Sequence, residues 1–116
     1  MSHKISKSIL KQISNFAKRN KNQEICGVIV NIDGQKKFIE CENLAHDKQK
    51  FFAIDCRVYI ENDVEVVVHS HCLGSANPSS TDCRCANNLE LPFLIYSTID
   101  DNFCLYENKS VIKFKV

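Results

Sequence analysis

Val64-Glu65-Val66-Val67-Val68-His69-Ser70-His71 is followed, after a loop holding Gly74, Asn77 and Pro78, by Ser79-Ser80-Thr81-Asp82. The apolar run reads as a buried strand over residues 64–71, because β-branched side chains pack well on a pleated surface. Side chains two residues apart on a strand share a face, so His69 and His71 can grip one ion together. Cys72 to Ser80 reads as a loop, and Ser79 or Ser80 caps a helix over about residues 81–89. Asp82 opens that helix and supplies a third ligand. Three protein ligands of N and O type leave a tetrahedral ion one open position, which suits a catalytic zinc with bound water.

Working outward, residues 3–19 read as a helix. Ile5, Ile9, Ile13 and Phe16 recur at helical spacing with Lys and Ser on the other face, and Ser2 is placed to cap the start. Residues 24–32 read as a strand, Asp33-Gly34 as a hairpin turn and residues 36–42 as the return strand. Residues 43–50 are polar and loop-like. Phe51 to Ile54 reads as a short strand and Arg57 to Asn62 as a short helix. Leu91 to Thr98 reads as a strand with Pro92 tolerated at its start. Asp100-Asp101-Asn102 is a turn, and residues 103–107 and 110–115 form a final hairpin around Asn108-Lys109. This order predicts one α+β domain over residues 1–116. Its mixed, curved sheet is flanked by the N-terminal helix and by the helix after the histidines.

The 116 residues suffice for one core and are too few for two. No apolar run approaches the roughly 18 residues of a membrane-spanning helix, and no signal-like apolar block is visible, so a cytoplasmic site is expected. Charge is uneven: residues 1–21 carry six basic groups and no acid, and the remainder is net negative. A basic helix face can touch nucleic acid or an acidic partner, but the preferred reading is the solvated side of an amphipathic helix. No nucleic-acid motif accompanies it, and no nucleic-acid partner is expected. The seven cysteines are odd in number and lack a secretion signal, so reduced thiols are expected, most of them small buried hydrophobes.

Hydrolysing an amide needs an activated water, a polarised carbonyl and a proton for the leaving amine. Zinc supplies the first two, and a nearby carboxylate can move the proton. Glu24 is the candidate carboxylate, since it opens a strand apolar enough to lie beside the histidine strand. The Ser79 hydroxyl can donate to the oxyanion of a tetrahedral intermediate. Each residue alone has a plainer reading: a pair of satisfied core histidines, a solvated strand-end Glu24, a Ser79 helix cap, and an Asp82 that complements the helix dipole. The combination is what favours chemistry.

That combination resembles the JAB/JAMM (MPN-plus) zinc metalloprotease family. Its pattern is an upstream glutamate, then His-x-His, seven residues, Ser, two residues and Asp. Glu24, His69-Ser70-His71, residues 72–78 and Ser79-Ser80-Thr81-Asp82 match it without a gap. Further stretches are similar to bacterial and phage members: Glu24-Ile25-Cys26-Gly27, Cys41-Glu42-Asn43-Leu44-Ala45, and Phe52-Ala53-Ile54-Asp55 with Tyr59. Leu91-Pro92-Phe93-Leu94-Ile95-Tyr96-Ser97, with Cys85, looks like the JAB domain of lambda-type phage tail assembly proteins. The family's usual Pro after the second histidine is Cys72 here.

The resemblance implies a JAB/MPN-like, cytidine-deaminase-like sandwich. It also implies that His69, His71 and Asp82 bind zinc, that Glu24 is general acid/base and that Ser79 steadies the oxyanion. The implied function is a zinc-dependent peptidase or isopeptidase acting on a protein or peptide. That substrate would be a tail protein with a ubiquitin-like segment, a peptidoglycan stem peptide or a ubiquitin-like conjugate. The implied location is the cytoplasm, of the host if phage-encoded, or the virion tail. These 116 residues read as a standalone version or as one domain of a longer protein. Two rivals stand beside this: a non-catalytic assembly scaffold on the same fold, and a metal or redox sensor using His69, His71, Cys72, Cys83 and Cys85.

Overall fold

The computed structural model describes residues 5–115. Helix α1 (Lys7–Arg19) leads into strands β1 (Cys26–Ile32) and β2 (Gln35–Cys41) and a short helix α2 (Arg57–Glu61). Strand β3 (Val64–His71), helix α3 (Ser80–Leu89) and strands β4 (Phe93–Ser97), β5 (Asn102–Glu107) and β6 (Ser110–Phe114) follow. The six strands make one sheet in the order β2-β1-β3-β4-β5-β6. β3 and β4 run parallel, and every other neighbouring pair is antiparallel. The sheet is therefore mixed, as the α+β reading expects. Parallel neighbours need a long crossover, and α3 provides it. The crossover returns residues 79–82 to the end of β3 that carries the histidines.

Both hairpins have the turns their residues demand. Asp33 (φ 53°) and Gly34 (φ 84°) link β1 to β2, and Asn108 (φ 51°) and Lys109 (φ 65°) link β5 to β6. Two successive residues at positive φ make the turn that matches strand twist. Gly27 is needed for a different reason. A Cβ there would lie 2.3 Å from the Ile39 carbonyl oxygen and 2.7 Å from the Phe38 ring.

α1 starts at Lys7 rather than at residue 3, and its cap is Ser6, whose Oγ accepts from the Ile9 N–H at 3.2 Å. Ser2, the expected cap, lies outside the described residues. The expected strand at Phe51 to Ile54 does not form. Leu44 N–H donates to the Ala53 carbonyl (2.9 Å), but the Ala53 N–H turns to the Asn43 side chain (3.1 Å). A side chain has taken the place of a neighbouring strand, so no ladder propagates.

Strand alternation divides the core. On one face Ile9, Ile13 and Ala17 of α1 pack on Ile29, Val66, Val68, Leu94 and Phe103. On the other, Val67, Phe93 and Tyr106 meet Ala86 of α3 together with Phe52, Ile54 and Tyr59. Each fully buried Val, Ile or Phe contributes about 1.5–3 kcal/mol. His69 and His71 fall on the second face with Val67. No helix among the described residues is long and apolar enough to cross a membrane.

Candidate metal centre

The histidines sit at the end of a central strand, where both flanks are tied. Cys26 of β1 lies opposite His69, and β4 places Ile95 beside it. His69 is fully buried, stacked on Phe52 (centroids 4.2 Å apart, planes 19° apart) and met edge-on by Phe93 at 5.5 Å. These rings fix its orientation. Ser70, between the two histidines, points to the opposite face. Its Oγ accepts from the Ile25 N–H at 2.9 Å and its N–H donates to the Ile25 carbonyl at 3.0 Å. The middle residue of His-Ser-His thus anchors the chain next to Glu24.

Asp82 arrives from the first turn of α3 in a reciprocal cap. The Asp82 N–H donates to Ser79 Oγ and the Ser79 N–H donates to Asp82 Oδ2, both at 3.0 Å. The carboxylate then faces both rings: Oδ2 is 3.0 Å from His71 Nε2, and Oδ1 is 3.2 Å from His69 Nε2. One ligand atom from each of His69, His71 and Asp82 falls within 4.8 Å of the others.

The donor set fits a divalent ion. Both ring nitrogens of His69 are buried: Nδ1 lacks a hydrogen-bond partner, and Nε2 faces Asp82 Oδ1 at 3.2 Å. Unpaired buried polar atoms are costly and call for an explanation. His71 Nδ1 donates to the Ser75 carbonyl at 2.7 Å, which leaves the Nε2 lone pair of a neutral ring turned toward the carboxylate. A lone pair against a carboxylate oxygen requires a proton or a cation between them. Backbone bonding through the other ring nitrogen is also how metal-binding histidines are usually oriented.

Electrostatics agree with this. Burial works to raise Asp82, but its contacts with His69 and His71 prevail and hold its carboxyl far below the usual range. Burial pushes His69 down, toward the neutral form that ligates. Burial also pulls on His71, but Asp82 and the Ser75 carbonyl outweigh it and raise its pKa.

Glu24 is buried, but it lies two residues ahead of β1 rather than opening the strand, because β1 starts at Cys26. Its N–H donates to the Lys48 carbonyl at 2.7 Å, and its carbonyl accepts from Asn43 Nδ2 at 2.8 Å. Burial lifts its carboxyl to about 7, with Asp82 and Asp47 adding and His71 opposing. Glu24, Ser79 and Asp82 all line one cleft of about 350 Å³. Ser79 is exposed, and because it accepts the cap bond its own proton is left to donate.

Cys85 lines the same cleft, and Cys83 directly follows Asp82 in α3. Cys72 is buried with Sγ directed to the Gln49 carbonyl at 3.4 Å. Cys83 lies half-buried among apolar neighbours, and Cys85 is exposed. Among the described residues no cysteine joins the three ligand atoms. Two positioning residues carried no assigned role in the sequence, although Asn43 falls in the family-like stretch at residues 41–45. Asn43 is buried and bonds Glu24 and Phe51 through Nδ2 and Ala45 and Ala53 through Oδ1. Ser70 showed only as a polar residue inside an apolar strand.

The fold has close counterparts. The protein DSY2949 of Desulfitobacterium hafniense shares 19% identity at a TM-score of 0.68, over 95% of this chain and 88% of its own. A protein of Salinibacter ruber shares 20% identity at a TM-score of 0.54, over 98% of this chain and 82% of its own. A search of curated proteins gave no match. The family Prok-JAB, prokaryotic homologs of the JAB domain, matches residues 6–108. That span takes in α1, the sheet through β5, and every residue of the cluster, so the chain belongs to the prokaryotic JAB-domain family.

Proposed function

We propose that this protein is a metal-dependent hydrolase of amide bonds, a peptidase or isopeptidase of JAMM type. The observation that carries the reading is the fully buried His69, whose Nε2 meets the Asp82 carboxylate beside His71 in a three-ligand cluster. His69, His71 and Asp82 would hold the ion, with zinc the fitting choice for two imidazoles and a carboxylate. When bound, such an ion acidifies a water and polarises a carbonyl.

The chain's own residues supply the rest. Glu24 takes a proton from the attacking water and returns it to the leaving nitrogen, a role suited to a carboxyl near neutrality. Ser79 donates its hydroxyl proton to the developing oxyanion. Asn43 and Ser70 act as positioning residues that hold the backbone on either side of Glu24 and at Ile25. A protein or peptide substrate follows from the reaction. The likeness of residues 91–97 to phage tail assembly proteins favours a tail component or a ubiquitin-like segment among them.

The test measures metal content and peptide hydrolysis for the protein, for His71→Ala and for Glu24→Gln. The reading expects about one zinc per chain, lost in His71→Ala and kept in Glu24→Gln with hydrolysis gone. Zinc that survives His71→Ala would overturn it.

A further inference from the structure

The cleft that touches Glu24, Ser79 and Asp82 also takes in Thr81 and Cys85 of α3, and the rest of its lining is largely apolar. Its other walls are Phe52, Ile54, Tyr59 and Phe93, with Phe51 and Leu89 at the lip. Phe52, Ile54 and Tyr59 pack into the core beneath it, so these walls are built into the fold. Phe51 is 52% exposed and Leu89 43% exposed, so both present apolar surface to solvent where they line the cleft. Lys50 is the one cation among its lining residues. The larger cleft, about 740 Å³, lies at the other end of β3 beside Glu65 and Tyr106, and none of the metal-cluster residues lines it.

We propose that this apolar cleft is a specificity subsite receiving a bulky apolar side chain, of leucine or phenylalanine size, on the residue that flanks the scissile amide. The inference rests on the hydrolase reading for its place in a reaction. Three observations support it. The cleft is continuous with the groups that would act on the amide, so a residue bound there lies next to the reacting bond. Its volume of about 350 Å³ is at the small end of ligand pockets, room for one side chain and its backbone. Its charged lining is confined to Lys50 and to Glu24 and Asp82, the latter two held at the metal-cluster side, whereas Phe51, Phe52, Ile54, Tyr59, Leu89 and Phe93 offer an incoming side chain apolar contact. A glycine would leave the rings exposed and gain nothing from them.

The experiment separates the subsite from the catalysis. Isotope-labelled Glu24→Gln protein is titrated by NMR with N-acetyl-leucine amide, N-acetyl-phenylalanine amide and N-acetyl-glycine amide. In parallel, the unmodified zinc-loaded protein is offered peptides that differ only in Leu, Phe or Gly beside the cleaved bond. Shifts at Phe52, Tyr59 and Leu89 with the leucine and phenylalanine probes alone are expected. Their binding should weaken about tenfold in Leu89→Glu, a substitution on an exposed rim position. Peptides with Leu or Phe should be cut at least about tenfold faster in kcat/KM than the Gly peptide.

Equal shifts with glycine amide, or no shifts at all, would overturn the subsite even if peptides are cleaved. Cleft shifts without any cleavage would support the subsite and count against the hydrolase reading instead. Leucine and phenylalanine probes that shift the cleft only after Leu89→Glu has dissociated a dimer would assign the cleft to a second copy and overturn the proposal.

Discussion

Ser79 and Asp82 hold each other: each backbone N–H donates to the other's side chain at 3.0 Å, and the same Asp82 Oδ2 that accepts from Ser79 also faces His71 Nε2. The bond that starts α3 therefore also aims a metal ligand. Helix formation and site assembly share atoms, so a substitution at residue 79 reads out on both.

Ser79→Asp separates the two roles. Aspartate still caps a helix but has no hydroxyl proton to give. Thermal stability should change little, whereas Ser79→Ala should cost about 1 kcal/mol. Peptide hydrolysis should fall about 100-fold or more in both variants. Activity retained in Ser79→Asp would remove Ser79 from the chemistry.

Glu24 should make the metal-free protein's stability depend on pH. Its carboxyl sits at about 7 against an ordinary 4.5, so the fold disfavours its charged form. The sign follows: no penalty below about 4.5, a growing loss as pH rises to about 7, and a constant loss of about 3 kcal/mol above it. Urea unfolding of metal-free Glu24→Gln should match the parent near pH 4.5 and exceed it at pH 8.

Metal binding should run the other way. His71 has a raised pKa because Asp82 and the Ser75 carbonyl favour its protonated ring, and an ion must displace that proton. Zinc affinity, measured by competition with a chelator, should fall about tenfold per pH unit once pH drops below the raised value. Affinity that is flat from pH 8 to pH 5 would exclude His71 as a ligand.

Asn43→Ala should be among the most damaging changes outside the cluster. It removes four hydrogen bonds and strands the Glu24 and Phe51 carbonyls and two N–H groups. A loss of about 2–4 kcal/mol in urea unfolding is expected.

Ser70→Ala leaves both histidines in place and frees the Ile25 N–H. Stability should drop by about 1–2 kcal/mol, and kcat should fall with zinc content unchanged. That split would mark Ser70 as acting through Glu24.

Much of this was legible in the residues. The spacing from His69 to Asp82 implied a strand, a loop and a helix, and the positive-φ turns at Asp33-Gly34 and Asn108-Lys109 announced their hairpins. The parts that were not legible depend on contacts distant in sequence. Phe51 to Ile54 has strand composition, yet its bonds go to Asn43 rather than to a strand. Ile5 carries the right period for α1, but Ser6 competes for the start of the helix and wins by capping it. Gly27 carries no local signal, since what forbids a side chain there is the approach of Ile39 from the next strand.

The ligands are supported unequally. β3 is laddered on both sides, by β1 and β4, so His69 and His71 stand on backbone that opens only when the sheet does. Asp82 stands on α3, which closes on the sheet through a few apolar side chains and its cap. Amide hydrogen exchange in the empty protein should thus be slow through β3 and fast through the first turns of α3, with added zinc slowing α3 selectively. In that case α3 behaves as a latch, and the sheet as the frame it closes against.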